Sequence, residues 1–416
     1  MGIKKTMKKV VNQYVGEDSI AKFRIWINRK KRDILAREKD KGFELIKFGN
    51  KGEQSFFGYY DKTPFSQYDN MVLGNITLCG NSAPSKNDVL KVGYFDIDNS
   101  DIFNEIGETN SWCWQQGCRL QWYPQDENSL VIYNKPICEG YGSVIQNIIT
   151  KEIIQTHKAP IYDINSTGEF ALTLNFSRLG RLRPGYGYVN FTDYTEGVLA
   201  PKDDGVWLYD LKNKRNKLII SLDFLCKYNS TDTMEKAEHY INHLLFSPNG
   251  DRFLFFHLWT KGTNRYSRLI TSDINGQDIH LLTNGGKVSH YTWKNNEEIL
   301  ATIHYDSIGT RYYLVNDKSK EVKIKYEEYL SRDGHPSYSC RGSLLTDTYP
   351  DGYSERSLLL IDTQGKIMNL GSYLSPYEYR GECRCDLHPR WNRAGNCIQF
   401  DSAHSGERKM YLLRYD

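Results

Sequence analysis

Four histidines stand at one register of a recurring pattern. His243, His290, His335 and His388 each lie three residues before a bulky anchor residue, in "HLLFSPNG", "HYTWKNNE", "HPSYSCRG" and "HPRWNRAG". Neutral imidazoles suit a divalent transition metal, which for zinc takes nitrogens at about 2.0–2.1 Å. The same rings, with an unperturbed pKa near about 6.5, also serve as general bases near neutral pH. Two further histidines, His257 in "FFHLW" and His304 in "TIHYD", end the strand after the anchor in their units. His404, in "DSAHSG", falls in the matching loop of the final unit.

The elements that position them are read from the repeat itself. Earlier, looser copies run "KTPFSQYDNMVLGNI", "RLQWYPQDENSLVIYNK" and "IYDINSTGEFALTLNFS". The seven anchors are Phe65, Trp122, Ile164, Phe246, Trp293, Tyr338 and Trp391, with Lys62, Arg119 and Ile161 at the histidine register of the first three. Each unit holds three or four short strands joined by Asn- and Asp-rich turns, the pattern of a four-stranded blade. Seven such units close radially, so the expected fold is all-β: a seven-bladed β-propeller over residues 43–416. The last unit stops one strand short, and "FELIKFG", residues 43–49, is expected to supply that outer strand and leave no open edge. Equal registers lie at equal height on a propeller axis. The four imidazoles, Arg119 and Lys62 are therefore expected to ring one mouth of the channel, with His304 beside them.

One insertion interrupts the spacing, "NFSRLGRLRPGYGYVNFTDYTEG" in the third unit. It follows a second-strand pattern and so projects from the histidine face. Arg178, Arg181 and Arg183 suit carboxylates, sulfates or phosphates bidentately, and Tyr186 and Tyr188 suit sugar stacking or proton donation. The alternative is a solvated basic loop. Proton abstraction next to a uronate carboxylate needs charge neutralisation, a base and an acid. The expected catalytic set is His243, His257, Arg181 and Tyr188; the expected substrate-binding set is Arg119, Lys62, Arg178, Arg183, Tyr186 and His304.

The turn in "FSPNGDRFLFF" resembles that of TolB-type propellers. Histidine ahead of it, in the "HPRW" manner, resembles the oligogalacturonate lyases and, more loosely, the propeller-type ulvan lyases. The resemblance spans residues 43–416. It implies a divalent metal, manganese or zinc, held by His290, His335 and His388, and β-elimination on a uronate-containing oligosaccharide or polysaccharide. Where a glutamine ligand would precede the last histidine, this chain has "ECRCDLH". Cys383 and Cys385 there are either thiolate ligands beside His388 or buried strand thiols.

The 416 residues carry 54 Lys+Arg against 51 Asp+Glu, a balance that points to no nucleic-acid partner. Thirty tyrosines, 8 tryptophans and 17 phenylalanines suit strand packing as well as sugar stacking. Nine scattered cysteines imply free thiols in a reducing compartment. The N-terminus has the charges of a signal peptide without its apolar middle, so the expectation is a cytoplasmic protein. Residues 1–42 read as a basic helical arm with Ile20, Phe23, Ile27 and Ile34 on one face. Residues 1–45 hold 13 basic against 6 acidic side chains. Such an arm docks on a partner or on the propeller wall, or lies peripherally on the inner membrane face. The second functional class carried forward is a non-catalytic propeller that binds an acidic glycan or a protein during surface-polysaccharide assembly.

Overall fold

The computed structural model describes residues 18–23, 25–27, 43–283, 286–319, 321–328 and 330–415. Seven four-stranded antiparallel sheets follow one another around an axis, an all-β seven-bladed propeller. Blades 2 to 6 each use four consecutive strands. Their innermost strands are Gln121–Trp122, Asp163–Ile164, Glu238–Phe246, Lys287–Trp293 and Ser337–Tyr338. In blade 7 the strands Arg390–Trp391, Cys397–Ser402 and Lys409–Arg414 are completed by Leu45–Phe48, which pairs Leu45 with Leu413 and Phe48 with Met410. An edge strand is thereby covered by a segment from the opposite end of the chain.

The anchor residues explain how blades lock together. The indole N–H of Trp122 donates to the carbonyl of Pro64 at 2.8 Å, that of Trp293 to Leu245 at 3.3 Å and that of Trp391 to Ser337 at 3.2 Å. Each acceptor is the residue just before the preceding blade's anchor. The repeat thus stitches neighbours by one bond at one height, and the large rings fill the wedge between sheets.

Blade 1 departs from this plan in a way that shapes the channel. Its inner strand is Gln54–Phe56, and the anchor Phe65 rejoins the sheet only through a single bridge to Val72. Residues 57–64 leave the ladder between them and carry Tyr59 and Tyr60 inward; both are buried. Gly58 makes this excursion feasible. Its φ of +135° belongs to glycine, and a Cβ there would sit 3.0 Å from the Gln116 backbone.

The described part of the N-terminal arm is helical at 18–23 and 25–27. Asp18 pairs with Arg380 at 2.7 Å and accepts from the Tyr377 hydroxyl at 2.9 Å, while Lys22 pairs with Glu378 at 2.9 Å. These contacts seat the turns against the propeller wall. Phe23 and Trp26 stack on each other, facing solvent. Ile34 and most of the arm lie outside the described residues. Among the described residues no helix is long and apolar enough to cross a membrane.

Candidate active site

Local backbone geometry, as well as register, aims the histidines. The inner strand of blade 4 is bulged between Asn242 and Leu245, and that of blade 5 between Val288 and His290. His243, His388 and Arg119 occupy the left-handed region, at φ of +52°, +43° and +57°. Non-glycine residues pay strain for that conformation, which turns the side chain out of the strand's alternation. All four imidazoles converge on Tyr59 and Tyr60. Ring centroids lie 4.9 Å from Tyr59 to His243, 5.1 Å from Tyr59 to His388, 5.8 Å from Tyr60 to His290 and 5.1 Å from Tyr60 to His335. None of the four is more than 3% exposed.

Three of the rings are oriented alike. His290 Nδ1 lies 2.9 Å from Asp333, His335 Nδ1 2.8 Å from Asp347 and His388 Nδ1 2.8 Å from the Gly58 carbonyl. These partners only accept, so Nδ1 carries the proton and Nε2 keeps its lone pair. All three Nε2 atoms are buried without a partner. The rings are close: centroids are 4.1 Å apart for His290 and His335, and 4.3 Å for His335 and His388. The Asp386 carboxylate joins them, with one ligand atom each of His335, Asp386 and His388 within 4.8 Å of one another.

Burial pushes His290 and His388 down, so both rings stay neutral at neutral pH. Asp386 is buried too, which alone would raise its pKa, but Arg384 and Arg356 at 2.8 Å hold its carboxyl well below the usual range. Three oriented imidazole lone pairs, an ionised carboxylate and outer carboxylates gripping the rings fit a divalent metal. His243 lies alongside. Both of its nitrogens are buried and unpartnered, and its ring stacks on Tyr291 at 4.1 Å. Burial holds it far below its ordinary pKa.

The insertion forms a short helix, Phe176–Leu182, capped by the Asn175 side chain. A Cβ at Gly187 would meet the Gly180 nitrogen at 2.1 Å, so the loop returns tightly over that helix. Arg183 and Tyr186 reach the site. The Arg183 guanidinium lies 4.2 Å over the Tyr186 ring, and the Tyr186 hydroxyl bonds Arg384. Burial would raise the Tyr186 phenol, but Arg384 and Arg183 outweigh it and lower its pKa. Arg183 also lines a cavity of about 230 Å³ with Asp333, Lys287 and His304. His304 there bonds Thr310 through Nδ1 at 3.0 Å.

Other residues assigned functions from sequence are engaged elsewhere. Arg178 is buried and spends its guanidinium on the carbonyls of His239, Thr195, Val198 and Leu199, pinning the insertion to blade 4. Arg181 is neutralised by Asp193 at 2.8 Å and by Glu238. Tyr188 stacks face to face on Phe176, and its hydroxyl oxygen accepts from the Asn134 side-chain amide at 2.9 Å. Arg119 is locked bidentately on Asp61, at 3.2 and 2.8 Å, and Lys62 pairs with Asp163. His257 contacts His239, Trp259 and Arg268 rather than the four clustered rings. His404 packs between Tyr373 and Tyr411. In each case an internal charge or hydrogen-bond partner absorbs the group that sequence alone left free. All nine cysteines are free, and burial raises the Cys383 thiol and pushes Cys385 up to about 11. Both remain thiols in apolar packing, and it is the Asp386 carboxylate, between them and His388 in sequence, that groups with His335 and His388.

Sequence reasoning missed Asp333, Asp347, Asp386, Tyr59, Tyr60 and Arg384. A signal existed for two of them: Asp333-Gly-His335 and Asp386-Leu-His388 repeat an Asp-x-His spacing in adjacent blades. Residues two apart in extended chain share a face.

No family model matches the sequence, and no curated protein matches it. Solved structures do. An oligogalacturonate lyase from Vibrio parahaemolyticus superposes with a TM-score of 0.63 at 12% identity, covering 91% of this chain and 95% of that one. An oligogalacturonate lyase in complex with manganese gives 0.65 at 12% identity over the same shares. TolB from Acinetobacter baumannii gives 0.40 at 14% identity over 71% of this chain and 62% of its own. At these identities the likeness is one of fold: the chain is a seven-bladed propeller of the architecture seen in the oligogalacturonate lyases.

Proposed function

We propose that this propeller is a carbon–oxygen lyase that cleaves an acidic, uronate-containing glycan by β-elimination. The carrying observation is that the oriented Nε2 atoms of His290, His335 and His388 are all buried without a partner, and that His335, His388 and the Asp386 carboxylate bring one ligand atom each within 4.8 Å of one another beneath a cationic mouth. These four side chains would hold a divalent ion, manganese or zinc. Such an ion supplies charge neutralisation for the substrate carboxylate and so acidifies the neighbouring C–H.

The chain's own groups provide the rest. Arg183 and Lys287 at the mouth attract and orient the carboxylate. His243, neutral through burial and with both nitrogens free, is the base that takes the C5 proton. The electron pair forms the C4=C5 bond, the C4–O bond breaks and the departing oxygen takes up a proton. Tyr186, between Arg183 and Arg384, gives up its phenolic proton more readily than a free tyrosine and is the donor. Removing a positioned acid or base of this kind costs about 10²- to 10⁴-fold in rate.

The test is the ultraviolet absorbance of the unsaturated uronate product, followed with manganese added to chelator-stripped protein. Product that depends on added metal and vanishes in His335→Ala supports the reading. Tight oligosaccharide binding with no product favours the second reading, an acidic-glycan-binding propeller. The burial of all four imidazoles to 3% exposure or less is the observation on that side.

A further inference from the structure

The gap between blades 4 and 5 holds a cleft of about 970 Å³ that the site above does not use. It shares Tyr266, Ser267, Lys287 and His304 with the cavity at Asp333, so the two spaces adjoin, and Asp333, which holds His290 at 2.9 Å, lines the inner one. The smaller cavity, about 230 Å³, is below the size at which ligand pockets usually begin, about 300 Å³. The mouth alone is short of room for more than the reacting unit.

Arg268 lines the cleft and is only 5% exposed. Its Nε donates to His257 Nδ1 at 3.0 Å, Nη1 to the Asn229 carbonyl at 3.1 Å and Nη2 to the Leu225 carbonyl at 2.7 Å. A guanidinium only donates, so His257 carries its proton on Nε2 and donates from there to His239 Nδ1 at 2.8 Å. His239 in turn donates from Nε2 to the Met234 carbonyl at 3.2 Å. Every acceptor in this chain is neutral. Among the described residues no carboxylate pairs with Arg268. A buried cation without an anion is costly, and a bound anion would remove the cost. Trp259 and Tyr266 stack beside it, centroids 5.7 Å apart, and offer an aromatic wall. Arg265 and Lys287, both exposed, extend the positive lining toward the histidines and form no ion pair among the described residues.

We propose that this cleft is a distal subsite for an extended polyanionic glycan, one acidic unit pairing with Arg268 against Trp259 and Tyr266 while the unit to be cleaved lies at Asp333 and His290. This rests on the lyase reading and narrows its substrate to chains long enough to reach from the reacting unit into the cleft. The cleft fits repeated carboxylates or sulfates and disfavours neutral sugars.

The experiment titrates the full chain by calorimetry with galacturonates from monomer to hexamer, alongside their methyl-esterified counterparts. The hexamer should bind at least about tenfold tighter than the monomer, as one charged hydrogen-bonded pair contributes. That ratio should collapse in Arg268→Leu. Because Arg268 is buried and its loss threatens folding, Tyr266→Ala, which removes a half-buried aromatic wall of the cleft, provides a second test of the same ratio. A hexamer-to-monomer ratio near one, no binding of any oligomer, equal binding of the esterified series, or a ratio untouched in the variants overturns the subsite. The lyase reading fails separately. Absence of any cleavage with length-dependent, Arg268-dependent affinity sinks the lyase and supports the cleft, whereas cleavage with no length dependence does the reverse.

Discussion

The carboxylate of Asp347 lies 2.8 and 3.0 Å from Nδ1 of His335. It also accepts the backbone N–H of His335 at 2.8 Å and that of His388, one blade further on, at 3.3 Å. One side chain therefore fixes the tautomer of one candidate ligand and the backbone of the next.

Outer partners of this kind commonly account for about 10- to 100-fold in metal affinity. Asp347→Asn preserves shape and loses the charge. It should weaken manganese or zinc binding by that factor, read by competition against a chelator, with the circular dichroism spectrum unchanged. Affinity equal to the parent would remove Asp347 from the account.

His243 separates chemistry from metal binding. His243→Gln should lower the rate of uronate product formation by about 10²- to 10⁴-fold. Metal content by elemental analysis should stay at the parental stoichiometry, because His243 is not among the proposed ligands, whose core is His335, Asp386 and His388. A variant that keeps its rate would assign the base elsewhere.

Much of the propeller was legible because its signals repeat. Seven anchors at one register announce seven blades, and the indole bonds of Trp122, Trp293 and Trp391 are the physical reason those positions recur. The site was half legible. Register brings His243, His290, His335 and His388 together, but nothing in a period-2 pattern reveals which guanidinium already has a partner. Arg178, Arg181 and Arg119 look like free cations in sequence and are spent on carbonyls or on Asp193, Glu238 and Asp61 in space. Tyr59 and Tyr60 were invisible because they ride on an excursion out of the blade 1 ladder rather than on a repeat position.

Those indole bonds are also testable. Trp293→Phe keeps an aromatic ring in the wedge but leaves the buried Leu245 carbonyl short of a donor. The cost should be about 1–3 kcal/mol, measured by urea denaturation. A change within about 0.5 kcal/mol would show that ring packing alone holds the blades.

Acid stability follows from two histidines outside the candidate metal set. Burial lowers His157, with help from Lys214, and burial lowers His239, each from 6.5 to about 4. Between those values the unfolded chain binds more protons than the folded one. The stability they contribute is therefore complete above pH 6.5 and lost as pH falls toward 4. Each should remove about 1.4 kcal/mol per pH unit in that window. Thermal melts from pH 7.5 to 5 should show a falling midpoint, with a shallower slope in His157→Leu. A flat profile in the parent would contradict the assignment.

The central claim is tested most directly by anomalous diffraction from crystals soaked in manganese or zinc. One ion should appear about 2.0–2.2 Å from Nε2 of His290, His335 and His388, with an Asp386 oxygen completing its shell. An ion bound elsewhere, or none at saturating metal, would contradict it.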